Sequence, residues 1–184
     1  MDSSSSNEGL IQHAVFPKLL VHIGDITVSF ALLECTIQSL IGSLIAEHQR
    51  IGQIITAELS FKNLRALAVS LYLERHGEDS DYAVLRDLMR RAAELEGTRN
   101  QITHSMWGAG QTADTITRFK MTAKERHGIR FHSEQVAESD LATLARELKL
   151  LAGEILSLWM RLIESGKAIN NPYRKMWGTG HETV

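Results

Sequence analysis

The chain has 184 residues, of which 43% are hydrophobic, which is enough to bury one core but leaves little room for a second domain. Its formal net charge of −2 at pH 7 excludes a generally basic nucleic-acid-binding protein, so RNA binding would require a local basic patch. The single cysteine, Cys35, excludes an internal disulfide and fits a reducing, cytoplasmic location.

The two ends of the given sequence are expected to be tails. Residues 1–15 lack the basic and apolar regions of a signal peptide, and we expect a flexible N-terminal tail there. The longest apolar region, Leu19–Ala46, is interrupted by polar side chains, which favours a buried amphipathic helix over a membrane span. Residues 169–184 mix aromatic and basic side chains after Pro172 and are expected to form a C-terminal tail.

Apolar periodicity predicts four long helices, and the proline-free interior of the chain supports a mostly helical fold. Gly77 is placed to end the second helix, and Asp79 or Ser80 to cap the third. The predicted segments are roughly Leu19–His48, Gln53–Arg75, a third from about Ser80 to a stop at Gly108 and Gly110, and about Ser139–Ser165.

The apolar residues of three helices repeat at intervals of three and four, which keeps one seam facing a partner helix, as in a bundle. The first stripe is Ile26, Phe30, Leu33, Ile37, Leu40 and Leu44. The third helix carries Leu85, Leu88, Ala92, Leu95, Ile102 and Met106. The fourth carries Leu141, Leu144, Leu148, Leu151, Ile155, Leu158 and Leu162.

Between the third and fourth helices the period changes to two. The segments "TITRFKMT" and "IRFHSE", joined by "AKERHG", predict a small β-hairpin at about 114–134. Its expected apolar residues are Phe119, Met121, Ile129 and Phe131. The predicted fold is therefore all-α: an up-and-down bundle of four long helices with one hairpin, forming a single domain over 16–168.

The stretch "LEGTRNQITHSMWG" places Arg99, Asn100 and His104 near the end of the third helix, where an apolar stripe should continue. The Arg–His spacing alone carries little weight, because Arg126/His132 and Arg174/His181 show similar spacings. The position late in a bundle helix and the asparagine directly after the arginine distinguish the first pair.

In this form "RNQITHSMW" resembles the HEPN superfamily (higher eukaryotes and prokaryotes nucleotide-binding domain), whose signature is Arg, a polar residue and then His in a helical bundle. The resemblance implies a homodimer whose motif residues line an interface cleft, in many members a metal-independent endoribonuclease site. Some toxin members carry a tyrosine two residues after the histidine. Here that position is Met106, so the resemblance does not extend to regulation through such a tyrosine.

The side chains suit RNA cleavage, because the 2′-hydroxyl of RNA is itself the nucleophile. His104 can act as general acid or base. Arg99 can bind the phosphate and offset the negative charge of the transition state. Asn100, one turn before His104, can orient the ring, and Glu96 can support Arg99 from outside the site. No metal or cofactor is required.

On a straight helix, Arg99 and His104 lie about 140° apart, so one helix does not present both to the same point. Either the apolar stripe opens onto a dimer cleft at Arg99, or Gly97-Thr98 breaks the helix and Thr98 and Gln101 cap a new turn. We favour the dimer cleft with a continuous or mildly kinked helix.

Structural explanations for the same residues stand beside the catalytic one. Arg99 could pair with Glu96 or a carboxylate of another helix, and His104 could complement the dipole at a helix end. The corresponding function is a non-catalytic helical dimer that binds a protein partner or a nucleotide, whereas an antitoxin is the expected partner of a toxin. The arginines Arg86, Arg90 and Arg91 are usually a solvated face, but they could also form an RNA approach surface.

Overall fold

A computed structural model describes residues 16–45, 49–112, 115–124 and 128–169. The expected N-terminal tail and most of the C-terminal tail lie outside these residues. The described residues form five helices and three strands, so the chain is mostly helical with a small sheet between the last two helices. These elements are α1 (Phe16–Ile45), α2 (Gln49–Thr56), α3 (Phe61–His76), α4 (Ser80–Thr103), β1 (Met106–Ala109), β2 (Thr115–Lys124), β3 (Gly128–Ala137) and α5 (Glu138–Glu164).

The apolar stripes predicted for the first and last helices are confirmed. Every member of the α1 stripe, from Ile26 to Leu44, and of the α5 stripe, from Leu141 to Leu162, is buried. Spacings of three and four place such residues on one side of a helix, where they bury apolar surface against neighbouring elements. The helical bundle character expected from the sequence follows from these two stripes.

The prediction of one long second helix is wrong, because the segment forms two helices, α2 and α3. Ser60 interrupts it in an extended conformation, and its hydroxyl oxygen accepts the Asn63 N–H at 3.3 Å. A serine that satisfies a free N–H group in this way is a favoured start for a helix. The predicted end is confirmed: Gly77, with φ of 74°, donates its N–H to the Leu73 carbonyl at 2.8 Å.

The end of the third predicted helix is also wrong. Helix α4 ends at Thr103, before Gly108 and Gly110, and β1 follows it and pairs antiparallel with β2. Met106, expected in the helical stripe, lies in β1 and is 73% exposed. A Cβ at Gly108 would lie 2.9 Å from the Phe119 ring, so glycine here permits close strand pairing rather than ending a helix.

The hairpin is longer than predicted and belongs to a three-stranded antiparallel sheet of order β1-β2-β3. The chain is therefore mostly helical with a small sheet, and the expected bundle of four long helices with one hairpin is matched only in part. At the base of the hairpin, the cross-strand neighbours Ile116 and Val136 are buried. The four expected apolar residues lie further out and are 43 to 77% exposed: Phe119, Met121, Ile129 and Phe131.

The chain divides into two compact units. One, which we call the sheet unit, consists of Met1–Phe30 and Glu94–Leu148, and its described part includes the whole sheet. The other, the helical unit, consists of Ala31–Ala93 and Lys149–Val184. Helices α1, α4 and α5 each contribute residues to both units, so the units are interleaved along the chain. The single domain over 16–168 stays a prediction.

Helix α1 includes Leu19–Ile45, which by length and composition alone could cross a membrane, and half of its most apolar window is buried inside the protein. A core helix passes the same test, so this result is weak support for a membrane span.

Helices α1 and α2 approach each other closely at two glycines. A Cβ built on Gly52 would lie 2.6 Å from the Cα of Gly42, a distance that backbone atoms cannot accommodate without moving. The absence of side chains at both positions therefore allows this contact.

We expect Gly52→Ala to lower the free energy of unfolding by about 1–3 kcal/mol, because the methyl group must push the helices apart. Gly153→Ala is the control, since a Cβ there meets nothing within 4 Å. Alanine at this helical position should raise stability by up to about 1 kcal/mol. Urea unfolding followed by circular dichroism measures both, and equal effects of the two substitutions would contradict the close contact.

An ionic cluster in the helical unit joins the start of α4 to the residues after α5. Asp79 is one of the two caps predicted for α4, and its carboxylate accepts the Tyr82 N–H at 2.8 Å. Lys167 donates to Asp79 at 2.8 Å and to Asp81 at 2.6 Å. The hydrogen bond from Lys167, supported by the Tyr82 N–H, lowers the pKa of Asp79 from 3.8 to about 2. The Lys167 hydrogen bond also lowers the pKa of Asp81.

Because Asp79 has a lower pKa in the folded state, its charge stabilises the fold above the ordinary carboxyl pKa. This contribution is lost as the pH falls from about 4 to about 2. We expect Asp79→Asn, which keeps a capping oxygen, to reduce stability at pH 7 and to flatten the loss in this acid range. Urea unfolding across the range measures this, with Glu74→Gln as an exposed control. An unchanged pH profile would show that Asp79 is not the titrating group.

Candidate functional site

The candidate motif lies in the last turns of α4. The helix continues through Gly97 and Thr98, and the Thr98 hydroxyl donates to the Glu94 carbonyl at 3.3 Å instead of capping a new turn. The alternative of a helix break at these residues is therefore wrong, and the expected continuous helix is confirmed. His104 follows the helix, and its backbone N–H donates to the Asn100 carbonyl at 3.1 Å.

The Arg99 guanidinium packs between α1 and its own helix. Its central carbon lies 4.6 Å from the centroid of the Phe30 ring, a cation–π distance. One terminal N–H group donates to the Asn100 side-chain oxygen at 3.0 Å. The Nε atom is buried and has no hydrogen-bond partner among the described residues. The cation thus rests on an aromatic face and one neutral amide.

If Arg99 formed an ion pair, a carboxylate would lie beside its guanidinium. The structure has an aromatic ring and an amide there instead. Among the described residues, Arg99 forms no salt bridge. A partly buried guanidinium whose charge is not balanced by a carboxylate is costly unless it is solvated or meets an anion. Arg99 can therefore receive an anionic group.

His104 is exposed, in contrast to the half-buried Arg99 and Asn100. Its imidazole forms no hydrogen bond to another described side chain, whereas its backbone is fixed by Asn100. The structure thus joins the side chains of Arg99 and Asn100 but does not join either to the His104 ring. Glu96 is half-buried one turn before Asn100.

The arginines considered as an RNA approach surface belong to the helical unit, and each has a partner there. Arg90 pairs with Asp87 at 2.8 Å on the same helix. Arg91 donates to both carboxylate oxygens of Glu154 at 2.5 and 2.7 Å, and this hydrogen bonding lowers the pKa of Glu154. The Arg86 guanidinium lies 5.6 Å from the centroid of the Tyr82 ring.

Sequence reasoning missed Arg118, a buried arginine in β2 that is only 8% exposed. Its guanidinium donates to the Gln101 side-chain oxygen at 3.2 Å and forms a salt bridge with Glu134 at 2.7 Å. Gln101 directly follows Asn100, so this contact connects the sheet to the end of α4. The strand alternation that puts Arg118 on the face of Ile116 was the signal available in the sequence.

A cavity of about 210 Å³ opens beside Arg118. Its other lining residues come from the facing positions of β2 and β3: Lys120, His132, Ser133 and Glu134. Among the described residues, no group of three or more His, Cys, Asp or Glu side chains is arranged to hold a metal ion.

The chain matches no protein-family model, no curated protein and no solved structure. The HEPN resemblance therefore stays a prediction from the sequence, based on the residues around Arg99 and His104 and on their place in a helical bundle.

We expect Arg99→Met to leave the free energy of unfolding within about 1 kcal/mol of wild type or to raise it, because the substitution removes a buried Nε and keeps an apolar contact with Phe30. Arg118→Met is the matched comparison. It loses a salt bridge and a hydrogen bond and should lower stability by about 1–3 kcal/mol. Urea unfolding measures both, and a larger loss for Arg99→Met than for Arg118→Met would assign Arg99 a mainly structural role.

Proposed function

We propose that this chain is a HEPN-like dimeric protein that acts as a metal-independent endoribonuclease of the toxin or defence kind. Arg99, Asn100 and His104 would form its site in a cleft between two subunits. The observation that carries the proposal is that the Arg99 guanidinium has one neutral hydrogen-bond partner and no salt bridge among the described residues. The exposed His104 lies directly after the same helix.

The proposed reaction uses the 2′-hydroxyl of the RNA strand. His104 accepts the hydroxyl proton as the 2′-oxygen forms its bond to phosphorus. The bond from phosphorus to the 5′-oxygen breaks, and the leaving oxygen takes up a proton from water, so the products are a cyclic phosphate and a free 5′-hydroxyl. Arg99 stabilises the extra negative charge on the phosphate oxygens, and Asn100 holds the guanidinium in place.

In the proposed dimer, the His104 imidazole of a second subunit lies opposite the Arg99–Asn100 pair. One chain alone does not place these groups together. The surface of α1 supports such an association. Val21, Val28 and Leu32 are 69, 70 and 53% exposed, and their spacings of seven and four place them on one stripe. An exposed apolar stripe of this kind is typical of a helix that packs against another helix.

The alternative function is a non-catalytic helical dimer that binds a protein partner or a nucleotide through the same cleft. The observation that favours it is the absence of a contact between the His104 ring and the side chains of Arg99 or Asn100 among the described residues. A cytoplasmic location and an antitoxin partner belong to the toxin form of the proposal.

Purified protein incubated with total RNA in EDTA is expected to cleave it, and His104→Ala or Arg99→Ala should each reduce the rate by at least about 100-fold, as loss of an acid–base or charge-stabilising group does. Arg146→Ala, an exposed arginine of α5, and His22→Asn are the controls. Cleavage that persists unchanged in both motif variants would reject the site. No cleavage by wild type would favour the binding module.

Mixing the two inactive variants tests whether the site is shared between subunits. If Arg99 of one subunit acts with His104 of the other, a mixed dimer of Arg99→Ala and His104→Ala contains one intact site. Random exchange should then restore about a quarter of wild-type activity. No recovery after exchange, or a monomer by light scattering at micromolar concentration, would reject the composite cleft.

A further inference from the structure

One face of the hairpin formed by β2 and β3 collects positive charge. Because side chains alternate along a strand and Lys120 lies opposite His132, the same face carries every second residue on both strands. We call it the cationic face. Its charged and titratable residues are Arg118, Lys120, Arg130, His132 and Glu134.

This face has one carboxylate, and that carboxylate is already engaged. Glu134 forms the salt bridge with Arg118. Lys120 and Arg130 form no salt bridge among the described residues. Like charges at neighbouring positions of a sheet face repel each other, so a bound anion would stabilise this arrangement.

The cavity beside Arg118 has room for a small anionic group. At about 210 Å³ it is smaller than the clefts of roughly 300–1,000 Å³ that hold whole drug-sized ligands, but it can take a single phosphate group. Lys120 and His132 line it from facing strands, and Arg118 is fixed by Gln101 and Glu134. A guanidinium held in this way has a fixed orientation, and its planar fork of N–H groups can bind two oxygens of one phosphate group.

The position of the cationic face indicates which phosphate-containing molecule it binds. Arg118 contacts Gln101, the residue after Asn100, so the face is connected to the helix end that carries the candidate site. We infer that the cationic face binds a backbone phosphate of the RNA strand on which Arg99, Asn100 and His104 act. This inference rests on the proposed function and adds a substrate-binding surface that the motif does not contain.

The test measures RNA binding without cleavage, in the full chain carrying His104→Ala. Fluorescence anisotropy of a labelled single-stranded oligouridylate gives the Kd over a series of salt concentrations. We expect Lys120→Gln and Arg130→Gln each to weaken binding by about 3- to 10-fold and to reduce the slope of log K against log salt by about 0.7. Lys62→Gln, an exposed lysine of α3, is the matched control and should leave both unchanged.

Each outcome separates the inference from the proposed function. RNA binding with equal affinity and salt slope in all variants would overturn the cationic face while leaving the nuclease proposal intact. A complete absence of RNA binding would also overturn it, and the cleavage assay with wild type would then decide the proposed function independently. Equal weakening by Lys62→Gln would show a general charge effect and reject a localised site.

Discussion

Placing a guanidinium group among apolar side chains is costly unless other groups stabilise its charge, and this cost governs the end of α4. The helix continues an apolar stripe as far as Ile102, yet it carries Arg99 within that stripe. The charge is accommodated by the Phe30 ring and the Asn100 amide rather than by a carboxylate. Phe30 belongs to the buried α1 stripe and also contacts Arg99, so one side chain is part of both the core and the candidate site.

The fold could be predicted where one rule acted over a long segment. The three- and four-residue spacing along α1 and α5 identified the buried residues correctly, because helix geometry alone fixes which side chains share a face. The divided second helix and β1 were missed because they depend on short signals. Ser60 needed only one hydrogen bond to start a new helix, and β1 is stabilised by pairing with a strand that lies further along the chain.

The candidate site was predictable in its residues but not in its contacts. The sequence placed Arg99 next to Asn100, but adjacent residues on a helix point in different directions, so their side-chain hydrogen bond was not predictable from the helix alone. It did not predict that Phe30, far away in the chain, would lie under the guanidinium. Arg118 was missed for the same reason, since its partners Gln101 and Glu134 come from different elements. Such contacts depend on tertiary packing, which local periodicity does not encode.

The two faces of the hairpin are chemically different, and the strand register decides which residues appear on each. A shift of β3 by one position along β2 would move its aromatic and aliphatic side chains among the lysine and arginine residues. The outer part of the hairpin is exposed on both faces and offers little resistance to such a shift. The resistance to a shift comes from Ile116 and Val136, which are buried opposite each other at the base. Two buried apolar residues at the base of the hairpin therefore determine on which face its charged side chains lie.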